Sequence, residues 1–60
     1  MSLDYIRSYY NVPARLGTRV IADGNRGEIR GARDQYLSLL IEGDARLTIW
    51  HPTWHMVYLP

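Results

Sequence analysis

Sixty residues carrying a net charge of +1, with 47% hydrophobic and 22% charged content, describe one folded domain rather than two domains or a disordered tail. With no cysteine in the chain, disulfides and thiolate metal sites are excluded, so packing or self-association has to hold the fold. No long apolar run and no charged-then-apolar leader occurs, which points to a cytoplasmic protein without a membrane span.

The N-terminal segment mixes apolar and polar residues without strand alternation. Asp4 followed by Tyr5, Ile6, Arg7, Ser8, Tyr9 and Tyr10 predicts one or two helical turns with Asp4 as N-cap, and Leu3, Ile6 and Tyr10 on one face. So short a helix is marginal alone. Pro13 pushes Val12 out of the helical region, which sets the expected division: residues 1–13 as a helical or extended arm and 14–60 as a β domain.

From Leu16 onward, short strands alternate with turn residues, the pattern of a small all-β barrel or sandwich. Strands are expected over 18–22, 28–32, 36–41, 46–50 and 55–59, the third being the most apolar and hence central. Residues 23–27 read as a turn with positive φ at both its glycines, and Gly43 marks the tip of a hairpin. Pro52 forbids a continuous strand through His-Pro-Thr-Trp, so this stretch is a corner. Five antiparallel strands with a tight proline-marked turn, a single 3₁₀ turn, before the last is the layout of an SH3-like barrel.

Three stretches, YYNVPARLGTRVIADG, RGEIRGARDQYLSLLIEGD and HPTWHMVYL, resemble a family of short bacteriophage and prophage proteins. Its pattern runs Val-Pro-Ala, Gly-x-Arg-Val, Gly-x-Ile-x-Gly-Ala-Arg and His-Pro-Thr-Trp followed by Tyr-Leu, and the match covers residues 9–59. The resemblance implies a phage or prophage origin and an SH3-like fold, and it transfers no established activity. Where the family offers two basic residues after Val-Pro-Ala, this chain has Arg15 and then Leu16, which weakens a phosphate-binding reading. The rhythm of Leu16, Gly17, Thr18, Arg19 and Val20, then Gly24, Gly27, Glu28, Ile29 and Gly31, is also similar to the KOW element of ribosome- and polymerase-associated proteins, as shared barrel geometry.

The residues that invite a function lie near the chain's two ends. His51 and His55 are four apart, yet Pro52 breaks a helix through both and no cysteine or carboxylate joins them, so no metal site is expected. Trp50 and Trp54 bracket the corner. In strand alternation Trp54, Met56 and Tyr58 share a face and His55, Val57 and Leu59 the other, with one indole in the core and one lining a groove. Eukaryotic SH3 domains place a proline and aromatics at this corner to grip extended peptides. An equivalent patch here would use Tyr9, Tyr10, Trp50, His51, Pro52 and Trp54, with Tyr58 nearby, and would bind a protein partner, including a second copy.

The alternative is nucleic-acid binding through Arg15, Arg19, Arg26, Arg30 and Arg33, although Asp23, Glu28 and Asp34 are interspersed. All seven basic residues are arginine, a bias that genome base composition explains as readily as phosphate recognition. A structural part of the virion is a third reading. No nucleophile elbow, phosphate-binding glycine loop or dinucleotide fingerprint is present, nor the glutamine-isoleucine-tyrosine signature of the plasmid-borne dihydrofolate reductases built on small barrels. No enzyme activity and no cofactor are expected.

Overall fold

The structure, a computed structural model, describes residues 2–60. The helix α1 (Leu3–Tyr10) precedes five strands: β1 (Arg19–Ala22), β2 (Asn25–Arg33), β3 (Tyr36–Ile41), β4 (Leu47–Trp50) and β5 (Met56–Tyr58). The strands form one antiparallel sheet in the order β4-β3-β2-β1-β5. The first four follow as a meander, and the chain then crosses back to lay β5 beside β1, with Val20 opposite Tyr58 and Ala22 opposite Met56. No ladder joins β4 to β5 among the described residues, so the sheet is open at both strands.

Helix α1 starts two residues earlier than Asp4 would allow as a cap. Ser2 is the N-cap: its backbone is extended and its hydroxyl accepts the Tyr5 N–H at 3.3 Å. Asp4 instead sits in the first turn, where its charge suits the helix dipole, and pairs with Arg7. The helix ends on Asn11, whose left-handed backbone (φ 55°) lets its N–H bond the Arg7 carbonyl. Arg7 also donates from Nη1 to the Ala14 carbonyl at 2.8 Å, tying the helix to the segment that leads into β1.

The hairpins depart from the expected boundaries for a backbone reason. Ala22 pairs with Asn25, so the first turn holds only two residues, Asp23 (φ 49°) and Gly24 (φ 83°). Positive φ at both central positions is the hairpin geometry whose twist matches that of the strands. The five-residue turn read from sequence is therefore too long, and Gly27 lies inside β2. Its lack of a side chain serves packing instead: a Cβ there would meet Ile41 Cδ1 at 2.8 Å and the Leu40 carbonyl at 3.1 Å. The β2–β3 register shifts between Ile29 and Gly31, leaving Arg30 as the extra residue of a bulge. Strands β1, β4 and β5 are each shorter than expected, with Thr18, Arg46, His55 and Leu59 outside them.

The core is aliphatic. Ile6 from the helix, Ala14 from the segment before β1, Val20 and Ala22 from β1, Ile29 from β2 and Leu37, Leu39 and Ile41 from β3 form one buried cluster. Leu37, Leu39 and Ile41 alternate along β3 with the less buried Tyr36, Ser38 and Leu40, as a strand with one covered face requires. The helix thus packs on the inner face of the sheet through Ile6, and Leu3, Tyr5, Tyr10 and Val12 lean on the same cluster.

Candidate functional site

Two elements far apart in sequence build the aromatic surface. The first is α1, where Tyr5 and Tyr9 are four residues apart and therefore neighbours on one side of the helix, their rings stacked at 5.5 Å. Tyr9 meets Tyr10 edge-on at 4.9 Å. The second is the corner at 51–54. Tyr10 touches the His51 ring at 5.2 Å, edge-on, and His51 in turn stacks on Trp54 at 4.1 Å, the planes 8° from parallel. Ring follows ring from Tyr5 on the helix to Trp54 at the corner, and in this series Tyr9 and Trp54 are 65% and 67% exposed.

Strand β3 contributes one more ring. Leu37 faces Trp50 in the β3–β4 register, so continuing the ladder by one step sets Tyr36 opposite His51. Their rings indeed meet edge-on at 6.1 Å. Tyr36, Ile49, Trp50, His51, Trp54, His55 and Asp23 line an open groove of about 370 Å³. Asp23 brings the one carboxylate among these lining residues.

The corner is held by its own hydrogen bonds. It is a bend followed by a turn, with no 3₁₀ helix. The Thr53 N–H donates to His51 Nδ1 at 3.1 Å, and the Tyr58 hydroxyl donates to the Pro52 carbonyl at 2.7 Å. His55 takes a left-handed backbone (φ 52°), and its carbonyl accepts the Asp23 N–H at 2.8 Å, which pins the corner to the first hairpin. Pro52 is fully buried, so it supports the corner from beneath and offers no ring to a partner. Burial pushes the Tyr58 phenol up to about 12. Tyr10 is also raised above its ordinary value, by desolvation first and then by the neighbouring phenols of Tyr9, Tyr5 and Tyr36.

Of the six residues expected to grip a partner, five surround this surface: Tyr9, Tyr10, His51 and Trp54 in the ring series, and Trp50 in the groove beside them. Trp50 is the inner indole, packed against the core and donating from Nε1 to Thr48 Oγ1 at 2.7 Å. Trp54 is not on the face of β5 that Met56 and Tyr58 share: the left-handed turn at His55 interrupts the alternation before the strand begins. Tyr5, Tyr36 and Ile49 were missed. The four-residue step from Tyr5 to Tyr9 was legible, whereas placing Tyr36 and Ile49 needed the β3–β4 register.

The five arginines of the alternative reading are all exposed. Arg19 and Arg26 share a groove of about 200 Å³ with Glu28, Glu42 and Asp44. Arg30 lines a different one beside Leu40, Ala45 and Leu47. Among the described residues no three His, Cys, Asp or Glu side chains gather within reach of one ion, and no helix is long and apolar enough to cross a membrane.

No protein-family model, no curated protein and no solved structure matches the chain.

Proposed function

We propose that the protein is a non-enzymatic binding module that captures a segment of another protein on the aromatic surface formed by α1, β3 and the 51–54 corner. The observation that carries this reading is the unbroken ring series that runs through Tyr9, Tyr10, His51 and Trp54, with Tyr9 and Trp54 mostly exposed. Exposed indole and phenol rings held rigid by neighbours give large contact area with little side-chain entropy to lose, and such residues dominate protein-binding energetics. The scaffold in this reading is a small five-stranded SH3-like barrel. Support for it comes from the strand order, with β5 returning to β1, and from the corner between β4 and β5. The sequence pattern shared with short phage and prophage proteins supports a phage-derived module acting in the host cytoplasm. The arginine reading is weaker, because carboxylates accompany Arg19 and Arg26.

The test is selection of short random peptides against the wild-type protein and against Trp54→Ala, followed by mapping of the bound peptide by amide chemical shifts. Peptides that shift Tyr36, Ile49, His51 and Trp54 and lose about tenfold or more in affinity in the variant support the reading. Peptides indifferent to Trp54→Ala overturn it. Oligonucleotide binding that survives Trp54→Ala and falls steeply with salt would move the function to the arginines.

A further inference from the structure

Strand β4 is built unlike the rest of the sheet. It ends the strand order, and among the described residues its only paired neighbour is β3. None of the backbone hydrogen bonds made outside the ladders involves residues 46–50, so its outer edge is unpaired among the described residues. Leu47, Thr48 and Ile49 are all exposed, the two aliphatics by 53% and 46%. Native edges are ordinarily blunted by lysine, proline, a bulge or extreme shortness. The opposite edge, β5, is blunted by shortness: it is three residues long. Strand β4 carries neither proline nor lysine, and its register with β3 is regular.

The edge is also complementary to itself. Laid antiparallel on its own copy with Thr48 facing Thr48, the strand sets Leu47 against Ile49 twice and Arg46 against Trp50 twice. Leu47 and Ile49 lie on the outer face with Leu40 and Ser38, so the pairing would join two apolar stripes into one. Arg46 would lie over an indole, a favourable cation–π placement. Moving the dyad to Leu47 or Ile49 loses both matched pairs. We infer that β4 pairs antiparallel with β4 of a second copy, centred on Thr48, to make a continuous ten-stranded sheet across a two-fold axis.

The inference stands apart from the peptide-binding reading, since its experiment reads oligomeric state without any peptide; of the two positions changed, Ile49 also lines the groove and Leu47 does not. Solution mass is measured by sedimentation equilibrium from micromolar to about 1 mM for the wild type, Leu47→Lys, Ile49→Glu and the double variant. Both single changes are at exposed positions, and circular dichroism checks that the fold is kept. Each should weaken the dimer about tenfold or more by opposing a charge to an aliphatic residue. The double variant should recover, because the register sets each new lysine opposite a new glutamate of the other copy. Wild type that stays monomeric throughout, single variants that dimerise unchanged, or a double variant that does not recover would each overturn the pairing. A dimer lost only on Trp54→Ala would overturn it too and assign self-association to the aromatic surface.

Discussion

The buried and the exposed sides of this molecule are made of different chemistry. The eight residues of the core cluster are Ala, Val, Leu and Ile, and none of the five tyrosines or two tryptophans is among them. The rings gather instead around the helix and the corner, in contact with each other as much as with the core. In so short a chain large aromatics are the usual means of gaining buried area. Their displacement to a rigid surface means that stability and recognition are carried by separate residues, and substitutions should tell the two sets apart.

The largest effect is expected in the core. Ile29→Ala should cost about 2–5 kcal/mol in chemical denaturation, since the cavity lies between the helix and the middle of the sheet. Ile6→Ala should approach the same range, because Ile6 is the helix residue fully buried in the cluster. Gly27→Val comes next, at about 1–3 kcal/mol, as the new side chain meets Ile41 and the Leu40 carbonyl. Gly43→Val is governed instead by strain, since φ is 90° there and nothing crowds the site.

Between the two regions sits Tyr58, part of the sheet yet fastening the corner. Removing its hydroxyl in Tyr58→Phe should cost about 0.5–1.5 kcal/mol by deleting the bond to the Pro52 carbonyl. Its folded pKa of about 12 lies above the unfolded value near 10, so its contribution is complete below about pH 10 and disappears as pH rises through about 12. Thermal melts between those pH values should show a smaller alkaline loss for Tyr58→Phe than for the wild type. Trp54→Ala should change stability least, within about 0.5 kcal/mol, while removing peptide binding. A cost comparable to that of Ile29→Ala would mean that the corner belongs to the core and erase the distinction.

Several features could be read directly from residue order. The apolar run at 36–41 marked β3 as a strand, and the structure then showed Leu37, Leu39 and Ile41 sharing its inward face. Gly24 and Gly43 marked hairpins, since both need positive φ. Pro52 marked the corner because a ladder cannot run through it. Aromatic clustering near both ends of the chain pointed to Tyr9, Tyr10, Trp50, His51 and Trp54, local abundance that a small core did not require.

Other features depended on contacts between distant segments. Asp4 and Ser2 are both residue types that cap helices, and the structure shows Ser2 serving. Gly27 reads as a turn residue until β3 arrives and its Ile41 side chain occupies the space a Cβ would fill. Tyr36 reaches His51 only through the β3–β4 register, and Tyr10 reaches it only because the helix packs on the inner face. Composition and periodicity determined which residues are apolar, which are aromatic and where the backbone has to turn. Tertiary structure alone decided which of those rings meet, because that depends on strand order and helix docking, and neither is encoded in any local stretch.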